Sequence, residues 1–230
     1  MKRWICCLVI DMNTQKLIEN FLQLQNDYQF TRRAMMTKER FKDIANADKV
    51  RGLDVEDEML KETLLEHVGH LPVLASYVYE HIEHTQKVDL GRSLIMLSIH
   101  DIGETKLGDV FSYTKTDKDE EEEINAAKKL LSPTMQKYFN EYEENKTFDA
   151  KFAKSIDVLA PLLHSVDLVG YIHTRFLEFG GTNEKIITKK RSLLEWDQVL
   201  LEVFDLCLEQ FKRYEEGERL LFPIVEYDLK

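Results

Sequence analysis

Between Glu58 and Glu83 the apolar residues Leu60, Leu64, Leu65, Val68, Leu71, Leu74, Ala75 and Val78 recur every three or four positions. That period lays them along one side of an α-helix, and a helix this long needs a partner surface on which to bury that side. The period returns over Thr14–Gln29 (Leu17, Ile18, Phe21, Leu22), from Asp117 through Ala126, Ala127, Leu130 and Leu131, over Asp149–Phe179 and over Leu193–Tyr214. A shorter helix is expected at Thr37–Ala45. The segment Leu90–His100 (LGRSLIMLSIH) is apolar on nearly every side, which predicts a buried helix. Only 9 glycines and 4 prolines punctuate 230 residues, too few for a fold of many short strands. The chain is expected to fold as an all-α helical bundle, with Trp4–Ile10 a short strand or helix packed on its body.

Several boundaries carry their own signals. The acidic run Asp117–Glu123 (DKDEEEE) suits a helix N-terminus, where the helix dipole favours negative charge. Ser132-Pro133 reads as an N-cap followed by a first-turn proline, and Gly180-Gly181 as a helix end. Pro72 and Pro161 fall inside long helical patterns, where each removes one backbone donor and is expected to bend its helix. No internal repeat and no Pro/Gly/Ser-rich linker divides the chain. One domain is expected, with a helical extension over 1–45, a central unit over 46–180, and a C-terminal helix and tail over 181–230 that complete it.

The formal net charge of −11 argues against a nucleic-acid polymer or an anionic membrane as partner, since both are bound through basic surface. It leaves room for a small anionic substrate, because a single bound cation outweighs distant surface charge. The cysteines, Cys6, Cys7 and Cys207, have no metal-binding spacing and an odd count, which fits a reduced, cytoplasmic setting. The apolar run after Lys2-Arg3 stops at Asp11, and no stretch approaches the roughly 20 apolar residues that a membrane-spanning helix requires.

The chemistry concentrates at His100-Asp101-Ile102-Gly103-Glu104, where a hydrophobic helix ends in charge. A carboxylate in that position must be paired or bound to a cation to offset its desolvation. Taken alone, the dipeptide is more often a helix-terminal histidine with a capping aspartate than a metal site. Two other positions repeat the anomaly: Glu66-His67 inside the apolar run LLEHVGHLPVL, and Asp157 inside FAKSIDVLAPLL.

The block HDxxExxxGD, formed by His100, Asp101, Glu104, Gly108 and Asp109, resembles that of the HD-domain 5′-nucleotidases. The resemblance extends over roughly Asp48 to Tyr171. Glu66-His67 matches the family's first ligand block, and Phe152, Lys154 and Asp157 match an F-x-K-x-x-D pattern that carries its last ligand. It implies an HD-domain helical bundle with a metal site between core helices, and His67, His100, Asp101 and Asp157 as ligands of one divalent ion per chain. Mn, Co, Mg, Fe and Zn all accept this mixture of nitrogen and oxygen donors. By the same resemblance Glu104 is the general acid/base, while Arg51 and Asp109 contact substrate; Asp101, next to the metal, is a candidate to orient the water. Lys106 joins Arg51 as a candidate phosphate cation, with Arg92 and Lys154 as alternatives.

Departures accompany the match. The tryptophan expected just after Arg51 is replaced by Gly52-Leu53, and Asn125 stands where relatives carry a glutamate, for which Glu122 or Glu123 is a substitute. His70 is a candidate second ligand or a rim histidine. His81 and His84 are expected on the surface, and His164 and His173 in packing or pocket roles. The implied activity is a metal-dependent phosphomonoesterase on nucleoside 5′-monophosphates or similar small phosphates, with a homodimer as a candidate assembly. A cyclic-nucleotide phosphodiesterase, a nucleotide-polyphosphate hydrolase and a non-catalytic nucleotide-sensing module are the alternatives.

Overall fold

The computed structural model describes residues 28, 31–36, 61–166 and 181–222. The expected elements at Trp4–Ile10, Thr14–Gln29 (Tyr28 apart) and Thr37–Ala45 lie outside these residues, as do Arg51 and His173. The all-α expectation holds, with one addition. Strands β1 (Arg32–Met36) and β2 (Lys61–Thr63) pair antiparallel, Arg32 opposite Thr63 and Met36 opposite Lys61. The Leu64 amide extends the pairing by donating to the Thr31 carbonyl at 3.0 Å.

The helix expected from Glu58 therefore begins later, as α1 (Leu64–Tyr79). Thr63 is its N-cap. The Thr63 hydroxyl accepts from the Glu66 amide, and the Glu66 carboxylate accepts from the Thr63 amide at 2.6 Å, a reciprocal box that fixes the start. Apolar period alone places Leu60 in the helix, but the cap chemistry overrides it. Helix α2 (Leu90–Ile99) starts at its N-cap Asp89, and α3 (Glu104–Leu107) is a single turn closed by Gly108 at φ 80°. Helix α4 (Asp117–Leu130) carries the acidic run in its first turn behind the cap Thr116, and α5 (Pro133–Glu144) starts at Ser132-Pro133 as expected.

Helix α6 (Phe148–Ser165) continues through Pro161, as α1 does through Pro72, so neither proline ends its helix. Helix α7 (Asn183–Lys190) and a 3-10 turn (Arg191–Leu193) precede α8 (Gln198–Glu216), whose N-cap is Asp197. The C-terminal helix expected over Leu193–Tyr214 therefore starts five residues later, at Gln198, because the buried Asp197 caps it, and the apolar period does not anticipate α7 before it.

The main core joins α1, α2, α6 and α8 around Leu71, Met96, Leu97, Phe152, Ile156, Leu159 and Phe204, all at 0 % exposure. A smaller cluster beneath it brings Tyr28 against Leu64, Ile102, Ala127, Leu131 and Phe139. His67, His100, Asp101 and Glu104, the polar interruptions that the sequence singles out, are buried as well. No helix among the described residues is long and apolar enough to cross a membrane.

Candidate metal centre

Three core helices supply the centre. His67 sits one turn into α1, His100 and Asp101 follow the last residue of α2, and Asp157 lies mid-way along α6. Because α1, α2 and α6 pack through their apolar stripes, the polar residue that each stripe carries is forced into the common interior. His67 Nε2 is 3.3 Å from Asp157 Oδ1 and 3.6 Å from Asp101 Oδ2. His100 Nε2 is 3.1 Å from Asp101 Oδ2 and 3.3 Å from Asp157 Oδ1. One ligand atom from each of the four residues falls within 4.8 Å of every other, so the set can hold a metal ion.

Each donor is aimed from behind. His100 Nδ1 is 2.9 Å from the Leu97 carbonyl, which fixes the tautomer with hydrogen on Nδ1 and a lone pair on Nε2. That Nε2 is buried and has no hydrogen-bond partner, so the short approaches to the two carboxylates are distances without hydrogen-bond geometry. His67 presents Nδ1 to the buried Glu62 carboxylate at 3.8 Å, leaving Nε2 for the centre. The Tyr142 hydroxyl donates to Asp157 Oδ2 at 3.1 Å, so that Oδ1 faces the imidazoles. Burial first, and then Asp157, hold the Tyr142 phenol well above its ordinary pKa, which keeps it a donor. Glu62 and Tyr142 carry no motif. Only tertiary proximity gives them a role.

The electrostatics describe a site built for a cation. Burial works against a charged His100, but Asp101 and Asp157 outweigh it and hold its pKa well above the usual imidazole value. Asp157 is likewise penalised by burial, yet the two imidazoles hold its carboxyl well below the usual carboxylate range. A proton on His100 thus serves the carboxylates as a divalent cation would.

Next to this set, Asp101, Glu104 and Glu123 bring carboxylate oxygens within 4.8 Å of one another. Glu104, expected to share the site with Asp101, is buried beside it, and of the two glutamates offered as substitutes for Asn125 it is Glu123 that joins them. Glu122 is exposed and pairs with Lys118. Lys115, which no motif flags, forms a close ion pair with Glu123. Gly103 makes this approach possible, since a Cβ there would lie 2.4 Å from the Glu123 carbonyl oxygen. Asp109 is half-buried near Glu123, and Lys106 is exposed on α3.

The other candidates separate cleanly. Arg92 is tied to Glu141 and Asp149 where α2 meets α5 and α6, so it is a structural cation and not one facing the centre. His70 stands edge-on to His164, ring centroids 5.8 Å apart, outside the four-ligand set. His81 is exposed, as expected. His84, expected on the surface, is instead stacked on Phe148 at 5.6 Å and bonded to Asp197 through Nδ1 at 3.1 Å, because the α8 cap supplies a buried acceptor.

This is the arrangement of an all-α domain with a His/Asp centre between core helices. A profile of the HD-domain family matches residues 49–192, more than half of the chain, and the chain belongs to that family. Its fold is similar to the crystal structure of a protein described as a predicted metal-dependent phosphohydrolase, from Magnetospirillum magnetotacticum MS-1. The TM-score is 0.67 at 24% identity, over 87% of this chain and 96% of that one. No curated protein matches the sequence.

Proposed function

We propose that this protein is a one-metal phosphohydrolase, a phosphomonoesterase acting on nucleoside 5′-monophosphates or a similar small phosphate ester. The observation that carries the reading is the convergence of His67, His100, Asp101 and Asp157 on one point, with the Nε2 lone pair of His100 buried there without a hydrogen-bond partner. Two neutral imidazoles and two carboxylates balance one divalent ion and suit borderline or hard metals. The name carried by the structurally similar Magnetospirillum protein points the same way.

When bound, the ion would supply Lewis-acid polarisation of the phosphorus centre and a water of lowered pKa. The chain's own residues do the rest. Asp101 lies beside His100 and orients the attacking water. Glu104, buried one turn on, is within the same carboxylate group and holds or releases the proton of water or leaving oxygen as general acid/base. Lys115, paired with Glu123, already compensates the Asp101–Glu104–Glu123 group, which supports a single metal. Arg51 and Asp109 are assigned to substrate contact on the family resemblance, with Lys106 a nearby candidate cation for phosphate.

A panel of phosphate esters assayed for inorganic phosphate, with Mn²⁺, Co²⁺, Mg²⁺ or Zn²⁺ and a chelator control, tests this. Metal-dependent turnover that disappears in Asp101→Ala is expected. Stoichiometric metal uptake with no turnover of any ester would replace the enzyme by a metal-stabilised binding module.

A further inference from the structure

We infer that Lys190, at the end of α7, is the cation that receives the phosphate group in an anion recess beside the metal centre, to which Lys154 and Lys115, each paired with a glutamate, lend only longer-range charge. The inference rests on the phosphohydrolase reading and names the part of the site that the sequence left to Arg51 and Lys106.

The geometry starts from two anchors that flank Lys190. On one side Lys189 Nζ donates to the Ser112 carbonyl at 2.8 Å, tying the end of α7 to the segment between α3 and α4. On the other, the 3-10 turn is pinned to α6, where Ser155 Oγ donates to the Leu193 carbonyl at 3.2 Å and accepts from Trp196 Nε1 at 3.0 Å. Ser155 is two residues from Asp157. Lys190 is held between these anchors, half-buried, within electrostatic reach of Asp157, Lys154 and Lys115.

The neighbouring cations are already engaged. Lys115 pairs with Glu123, and Lys154 lies 3.8 Å from Glu143 and 4.2 Å from the Tyr142 ring centre, the same tyrosine that holds Asp157. Lys190 makes no hydrogen bond or ion pair through its ammonium among the described residues. Among the charges that act most strongly on it, the carboxylate is Asp157, and in the proposed enzyme that charge is committed to the ion. A half-buried ammonium with lysines near it and this carboxylate neutralised favours an anion from outside. Burial, reinforced by Lys154, Lys189 and Lys115, depresses its proton affinity despite Asp157, as expected of a cation awaiting a partner. A phosphate oxygen that reached the metal would bring its remaining negative charge to these lysines.

The test is calorimetric titration of Mn²⁺-loaded protein with inorganic phosphate, alongside Mn²⁺ affinity and ester turnover. Lys190→Gln is expected to weaken phosphate binding about tenfold or more, the size of a lost charge-assisted bond, with Mn²⁺ affinity unchanged. Lys190→Arg is expected to retain most of it, and Lys128→Gln, an exposed lysine of α4, all of it. In the wild type, acetylation of Lys190 by acetic anhydride, read by mass spectrometry, should be slowed by phosphate, which keeps the inference testable if Lys190→Gln fails to fold. Unchanged phosphate affinity in Lys190→Gln, or acetylation indifferent to phosphate, overturns the inference even if the wild type hydrolyses esters. Loss of phosphate binding in Lys190→Gln while the wild type turns over nothing leaves the recess standing and removes the enzyme.

Discussion

At the scale of single residues, the centre depends on groups that never reach its middle. Tyr142 fixes which oxygen of Asp157 faces the imidazoles. Replacing it by Phe keeps the ring and deletes only that hydroxyl. Supporting groups of this kind are typically worth about 10–100-fold in metal affinity, so Tyr142→Phe should lose metal affinity on that scale with an unchanged helical CD spectrum. Metal titration against a fluorescent chelator reads the loss directly. Arg92 offers the complementary control. Its side chain is 42% exposed and paired with Glu141 and Asp149, so Arg92→Met should cost no more than about 1 kcal/mol of stability in urea unfolding. Turnover should be unaffected. A large loss of turnover with stability intact would return Arg92 to the list of phosphate cations.

At the scale of elements, much was legible. Ser132-Pro133, the acidic opening of α4 and the span of α2 follow from local chemistry, and the structure has them within a residue or so. The polar residues on the stripes of α1, α2 and α6 were visible as anomalies, since a stripe of one period exposes each exception to it. What escaped was either chemistry outvoted by period, as at Thr63 and Asp197, or partnership across the fold, as for Glu62, Lys115, Tyr142 and Lys190. No spacing along the chain encodes that Lys115 meets Glu123, because loop and helix packing decide it. Gly103 shows how tight that packing is. Gly103→Ala must push Glu123 of α4 away from the turn that precedes α3, and overpacking of this kind costs about 1–3 kcal/mol. Urea unfolding should show it, together with weakened turnover if Glu104 is displaced.

For the whole molecule, the charge pattern of the centre sets a dependence on pH. His100 has a raised folded-state pKa, so its contribution is complete below the ordinary imidazole value of about 6.5 and is lost as pH rises through the raised value. Asp157 is depressed, so its contribution is present above the ordinary carboxylate value and is lost as pH falls through the lowered one. Chelator-treated protein should therefore lose stability on the alkaline side. A divalent ion, which competes with the His100 proton, should stabilise more as pH rises from about 6 to about 9. Thermal unfolding with and without Mn²⁺ across that range checks the sign. A gap that narrows toward high pH would contradict it.

The ligands are also far apart along the chain, with His67 and Asp157 separated by 90 positions. An ion gripping both acts as a reversible cross-link over a long span, and closing such a span constrains the unfolded chain more than closing a short one. Removing the ion should therefore lower the stability of the three-helix core as a whole, read as a fall in thermal unfolding temperature on chelation. A fragment ending before Asp157 would keep the HD dipeptide and still lack the grip that unites the bundle.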